Sequence, residues 1–523
     1  MIGVGDAQYS AMAEEALMQG NAKRTSFVRA HARQIAATAA VLVVGLTLFA
    51  SGSVYAPSVL MGAMPTGGGS MWHGVSLGGW LVMEINPQKR GPDSPMDSRP
   101  SWMYDQIFAN SELDFVTDLR SEGGDAYAIQ TMKNHWTGYI ADDMLDAAKA
   151  LGVDTMRLPV GYWIMDAPVG GKSPLEYGIS PEGFVTGGLN HLYTMLVKMK
   201  QRGIVALVDI HAMPCNSACV SDGLYCAMPL AFAPAEQAPI ADMKRCGGGV
   251  YPTTRTPSEG ASSWGDVGVN AVSDLAEWIA ALPEEASSVA AFQLANEPVL
   301  GAGDIYDGAV NAFYKRALSA ARAHLPTMPL VLSFMGPSPN VLSFLKNAGD
   351  TSTGPVLADH HYYLNWQSPV GVTMPWAELH RRACIAEAEG AAHVLDVYGF
   401  ENLQVIVGEW SLAANHDALL DLNDPEIVKE LAQLYREQIY AFSKHSAVSG
   451  AFFWTLRMGS GWDPRPTKEY PNGRQVGGST AWKSLPGYPF PVWSLLEMAE
   501  AGVASPLNEV TEGTCKGVQK TPI

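Results

Sequence analysis

Three observations predict an α/β chain that closes into one (β/α)8 barrel, the TIM-barrel class. First, eight short runs rich in apolar and β-branched residues recur, at 73–79, 153–160, 204–211, 289–297, 329–335, 356–362, 403–410 and 449–456. Second, the runs are continuously apolar rather than alternating, as in parallel strands covered on both faces. Third, segments of helical period separate them, such as Leu189, Leu192, Leu196 and Met199, or Ile427, Leu431, Leu434 and Phe442. An open doubly wound sheet would alternate similarly, but no G-x-G-x-x-G or G-x-x-x-x-G-K-[ST] follows any strand.

In chain order, the first element stands apart from the barrel. Lys23, Arg24, Arg29 and Arg33 precede an apolar run, and no charged residue lies between Gln34 and Met83. Basic residues before an apolar run keep the N-terminus cytosolic. The expected layout is a cytosolic tail at 1–34, a signal anchor or signal peptide at 35–60 and a Gly-rich linker at 61–71. A barrel at 72–510 and a tail at 511–523 complete it. The anchor reading rests on length, and the cleaved reading on Val54-Tyr55-Ala56. Either sends the barrel into the secretory pathway, to the cell wall or to the cell surface as a type II membrane protein.

The 523 residues then need only one catalytic domain, the barrel at 72–510 with its long loops, beside the N-terminal segments and the C-terminal tail, and the protein is expected to be a monomer. Lys and Arg number 34 against 52 Asp and Glu, a net charge of −18 with no basic run. That balance excludes a nucleic-acid partner. With 47% hydrophobic and only 16% charged residues, a disordered acidic chain is excluded too. Cys215, Cys219, Cys226 and Cys246 cluster in one stretch, while Cys384 and Cys515 stand apart. The cluster lacks paired C-x2-C knuckles and reads as disulfides pinning a long loop, with connectivity open.

Two connections exceed simple βα loops, 84–138 after the first strand and 212–268 after the third. Both leave carboxyl ends, where a barrel builds its active site. Those ends carry Trp80 and Glu84; Arg157, Tyr162 and Trp163; Asp209 and His211; Asn296 and Glu297; His360, His361, Tyr362 and Tyr363, with Trp366 beyond; Glu409 and Trp410; and Trp454. Glu297 and Glu409 each end an apolar strand, where a lone carboxylate is costly. Strands four and seven face each other across a barrel mouth, so the two can flank a sugar ring as acid/base and nucleophile. Asn296 is placed to meet a sugar 2-OH, Arg157 to keep Glu409 ionised, and Tyr363 to orient it. Singly, each has a blander reading: a helix cap, a charge balance, a core histidine at His211.

A metal site from His211, His360 and His361 has no H-E-x-x-H or H-x-H spacing behind it, so no metal and no cofactor are expected. Trp163, Trp366, Trp410, Trp454 and Trp462 lie at strand ends or beyond, where indoles can stack on the apolar faces of a neutral sugar.

These residues resemble glycoside hydrolase family 5, the cellulase-like clan of retaining barrel glycosidases, and within it the fungal exo-β-1,3-glucanases. The likeness rests on GVSLGGWLVMEINP, HWTGYIADDMLDAAKALGVDTMRLPVGYW, VALVDIHAMP, FQLANEP, DHHYYLNW, VIVGEW, GAFFWTL and VWSLLEMAEAGV, in order over about residues 72–505. It implies Glu297 as acid/base and Glu409 as nucleophile. It places Glu84, Arg157, His211, Asn296, His361, Tyr363 and Trp454 around the sugar, with His361 and Tyr363 selected over their neighbours. The segments AMPCNSACVSDG and Thr455-Leu456-Arg457-Met458 depart from the family pattern, so chemistry transfers better than substrate. The expectation is a retaining exo-β-1,3-glucanase that releases glucose from a neutral β-linked polysaccharide or oligosaccharide, with a raised pKa on Glu297 in the free enzyme. Alternatives are a transglycosylase, a β-glucosidase or β-1,6-glucanase on the same scaffold, or an inactive wall-binding protein.

Overall fold

The structure is a computed structural model that describes residues 71–83, 112–213, 220–221, 224–225, 264–298, 304–333, 344–345, 347–348, 354–364, 374–389, 403–413, 420–444, 447–458, 462–475, 491–509 and 514–515. All eight expected strands are present: β1 (Trp72–Ser76), β2 (Thr155–Gly161), β3 (Val205–Ala212), β4 (Val289–Gln293), β5 (Leu330–Ser333), β6 (Val356–Tyr362), β7 (Gln404–Trp410) and β8 (Val448–Phe453). Each pairs in parallel with its sequence neighbours, and β1 pairs with β8 to close the ring. Closure leaves no strand edge, and both faces are covered, which is why the strands read as unbroken apolar runs.

Among the described residues the α-helices are α1 (Glu112–Gly138), α2 (Asp142–Ala150), α3 (Gly188–Gln201), α4 (Trp264–Ala280), α5 (Asp304–His324), α6 (Trp376–Glu389), α7 (Pro425–Lys444) and α8 (Leu495–Glu500). The predicted stripe of α3 is buried through Leu189, Leu192, Leu196 and Met199, and that of α7 through Leu431, Leu434 and Phe442. The connection expected to be a loop from 84 to 138 is helical over α1. Its apolar residues hold no single stripe because the helix breaks at Gly124, with φ 79° and ψ 178°. The second long connection likewise runs into α4.

The lower barrel is filled by Trp72, Leu207, Ala291, Val331, Leu357, Ile406 and Phe452, one from each strand but β2. Above this plug the interior turns polar. Register sets Asp209 beside Gln293, Asp359 beside Ser333 and, past a bulge after His360, His361 beside Glu409. Thr455, one of the residues departing from the family pattern, ties β8 back to β1. Its hydroxyl donates to Ser76 O at 2.6 Å and accepts from Gly78 N–H at 2.8 Å. Arg457 is buried, donating to Tyr139 O at 2.9 Å.

The segment 35–60 and the cluster Cys215, Cys219, Cys226 and Cys246 lie outside the described residues. Among the described residues no helix is long and apolar enough to cross a membrane. Cys384 and Cys515 are joined as a disulfide, which fastens the C-terminal segment to α6.

Candidate active site

The site sits where the eight strands end. β2 carries Arg157, its third residue, buried at the centre and donating from Nη1 to Glu409 Oε1 at 2.7 Å, from Nη2 to Asn296 Oδ1 at 2.6 Å and from Nε to Gln293 Oε1 at 3.1 Å. Nη2 also lies 3.0 Å from Asp209 Oδ2. Burial works against the Arg157 charge, but Asp209, Glu409 and Asp359 outweigh it and hold its pKa up. The opposite oxygen of Glu409 accepts from Tyr363 Oη at 2.7 Å. One buried carboxylate is thereby aimed by a guanidinium and a phenol from two different strands.

Glu297 follows β4 in a left-handed backbone conformation, φ 43°, rare for a residue with a side chain. Its N–H donates to Ser333 Oγ at 3.3 Å, and Tyr314 Oη donates to Ser333 O at 2.6 Å. The bend carries the carboxyl out over the mouth, with the Glu297 side chain 33% exposed against 5% for Glu409. His361 Nδ1 lies 2.5 Å from Glu297 Oε1 and 3.3 Å from Glu409 Oε2. The Glu297, His361 and Glu409 atoms all fall within 4.8 Å of one another. Each is already engaged within that polar network, so the set reads as an acid/base centre rather than a cation cage.

His211 Nδ1 lies 2.8 Å from Asp209 Oδ2, and its ring stacks on Trp454 with centroids 5.3 Å apart and planes 8° apart. A side chain at position 78 would strike the Trp454 indole at 2.7 Å, so only glycine fits there. The Trp454–Thr455 peptide is cis. On β6 the alternation turns His361 into the site; Tyr362 instead donates to Arg382 O and packs against Phe442. His360, on the other face, is pushed down to about pKa 4 by burial and does not join His211 and His361 in a three-histidine set.

The expected direction for Glu297 is reversed. Burial raises it, but His361, with His211 and Arg157 farther off, outweighs burial and holds Glu297 low. Glu409 is raised, chiefly by burial and with Glu297 adding, against the pull of His361 and Arg157.

The structure thus brings together Glu297, Glu409, Arg157, Asn296, His211, His361, Tyr363 and Trp454, while Glu84 and Trp366 lie outside the described residues. Trp163 is buried, one face stacked on Phe184 at 3.9 Å with planes 5° apart, so it offers no open platform. Trp410 likewise packs among Tyr435, Phe442 and Phe453 on the outside of the barrel. Sequence reasoning missed Gln293, Asp359 and Ser333, although Asp359 precedes His361 by two, the spacing that returns to one strand face. It also missed Glu112, the buried first residue of α1, which accepts from Met83 N–H at 2.9 Å and is pushed up to about pKa 8, chiefly by burial.

The family model for cellulase, glycosyl hydrolase family 5, matches residues 120–457, well over half of the chain. The chain is 24% identical over 406 residues to glucan endo-1,6-beta-glucosidase B of Emericella nidulans, covering 73% of this chain and 80% of the relative. It is 25% identical over 305 residues to probable glucan 1,3-beta-glucosidase A of Aspergillus terreus, covering 56% of each. Among solved structures, a rutinosidase from Aspergillus niger superposes with a TM-score of 0.53 at 14% identity, over 83% of this chain and 98% of that one, a likeness of fold.

Proposed function

The chain belongs to glycosyl hydrolase family 5, and from that membership we propose that it is a retaining, exo-acting β-glucan hydrolase of the glucan 1,3-β-glucosidase type. The observation carrying the mechanism is the spacing of Glu297 and Glu409, whose nearest oxygens fall within 4.8 Å. Retaining enzymes hold their carboxyls close, at about 5–5.5 Å, whereas inverting ones leave about 6.5–9.5 Å for a water. Glu409, aimed by Arg157 and Tyr363, attacks the anomeric carbon as Glu297 protonates the departing oxygen. Glu297, the more exposed of the two, then takes a proton from the water that opens the glycosyl ester, and two inversions give retention. Asn296, fixed by Arg157, meets the sugar 2-OH, and the indole of Trp454 floors the subsite.

A second reading, β-1,6-glucan as substrate, is favoured by the relative named for that linkage, of which the chain spans 80%. The membrane-proximal reading of residues 35–60 stands beside either, and the Cys384–Cys515 disulfide suits an oxidising, secretory-pathway setting.

The test is full-length protein on β-1,3- and β-1,6-glucans, with the anomer of released glucose followed by NMR. β-Glucose released first from chain ends of β-1,3-glucan is the expected result, and sugar–sugar products at high glucan concentration would identify transglycosylation. Absence of cleavage of any β-glucoside would sink the enzyme reading and leave a glycan-binding role.

A further inference from the structure

Asp359 is fully buried beneath the two glutamates and ligated by donors alone. Its Oδ1 accepts from Gly408 N–H at 2.8 Å and its Oδ2 from Gln293 Nε2 at 2.9 Å. His361 Nε2 lies 3.1 Å from the same Oδ2. A side chain at position 408 would put its Cβ 2.1 Å from Oδ1, so β7 is kept bare there and its backbone serves as a donor. Gln293 spends its oxygen on Arg157 Nε, which turns its NH2 to Asp359. A carboxylate so held is ionised and demands a proton on His361 Nε2. Nδ1 is then the one ring nitrogen facing Glu297 at 2.5 Å, a contact that requires a proton between the two.

We propose that Asp359 is a positioning residue for that proton: through Nε2 it keeps the proton on His361 Nδ1 in the resting site, and Glu297 receives it only as a glycosidic oxygen arrives. The inference rests on the hydrolase reading above. The charged and titratable groups facing the Asp359–His361 pair are Arg157 from β2, Asp209 and His211 from β3, Glu297 after β4, Tyr314 from α5, His360 on β6 itself and Glu409 from β7. Burial alone would drive His361 neutral, yet Glu409, Asp359 and Glu297 together hold its pKa well up, and Glu297 is correspondingly held down.

In the first half-reaction the Nδ1–H bond breaks as Glu297 Oε1–H forms, leaving His361 neutral. Rotation of the carboxyl then presents that proton to the leaving oxygen, which takes it as its bond to the anomeric carbon breaks and the Glu409 ester forms. In the second, Glu297 takes a proton from the attacking water, the ester opens, and the proton returns to Nδ1. No oxidant or further reactant is needed.

Histidine 15N NMR on the full-length protein tests this, with the His361 signals identified by their loss in His361→Gln. Both ring nitrogens of wild-type His361 are expected to be protonated through neutral pH. In Asp359→Asn the loss of the Nδ1 proton should move down by about one pH unit or more. The basic limb of kcat/KM on a β-glucoside with a poor leaving group should fall by the same amount. A neutral wild-type imidazole with a bare Nδ1, or an unmoved titration in folded Asp359→Asn, would overturn the proposal. If Asp359→Asn does not fold, the wild-type signals still decide. The NMR arm needs no turnover, so failure of the hydrolase reading is seen separately.

Discussion

Glu409 accepts from Arg157 and Tyr363 on opposite oxygens, so Glu409→Gln replaces an acceptor with an amide that neither donor can use fully and that cannot form an ester. A loss of turnover of about 10⁴-fold or more is expected, on glucans and activated aryl β-glucosides alike. Glu297→Gln should separate the two substrates. General acid help is worth about 10²–10⁴-fold, and a leaving group that departs unaided does not need it. Glycosylation by an activated aryl β-glucoside should therefore be spared, visible as a burst, while glucan hydrolysis collapses. Equal losses in both would place the acid elsewhere.

Glu112 carries a stability prediction of its own. Burial lifts its pKa from 4.5 to about 8, so between those values the folded chain holds a proton that the unfolded chain has released. The stability is present below about pH 4.5 and drains away as pH rises toward 8. Glu112→Gln keeps the acceptor for Met83 N–H without the charge. Its thermal midpoint should match wild type near pH 5 and exceed it increasingly up to pH 8. A constant gap across that range would refute the assignment.

At the scale of elements, the strands were legible because parallel strands buried on both faces leave a simple signature, and their carboxyl ends were legible because polar residues terminate apolar runs. The interior layer beneath the site was less so. Gln293, Ser333 and Asp359 sit inside runs read as apolar strand, and apart from His361 beside Asp359 their main partners come from other strands rather than from along the chain. Trp163 and Trp410 are buried for different reasons. Trp410 ends β7 and packs outward against Tyr435 and Phe442 of α7, whereas Trp163 lies in the turn just past β2 and stacks on Phe184. The α6–α7 pair shows what helix periodicity does not contain. His380 on α6 lies between Glu430 and Glu437 of α7, at 2.7 and 2.6 Å. Burial opposes its charge, but Glu437 and Glu430 outweigh it and raise its pKa. The clamp is therefore fully present below pH 6.5, the ordinary histidine value, and is lost as pH rises through the folded one. His380→Gln should cost about 2 kcal/mol at pH 6, leaving buried Glu437 short of a donor, and clearly less at pH 9, as measured by urea unfolding.

Over the whole molecule, the Cys384–Cys515 bond spans 131 residues and ties the last described segment to α6. Closing so long a loop restricts the unfolded chain, an effect of about 2–5 kcal/mol. The double variant Cys384→Ser, Cys515→Ser should therefore melt several degrees lower while its glucoside kinetics hold, since neither cysteine touches the site. Local pattern alone determined the barrel class, the eight strands and the Glu297–Glu409 pair, because each is written in the polarity of neighbouring residues along one strand. Tertiary structure alone decided which nitrogen of His361 faces Glu297, that Asp359 stands behind it, and hence that the acid is held low rather than high. Proton ownership depends on charges from five strands and α5 converging at the barrel mouth, and only closure of the ring sets those separations.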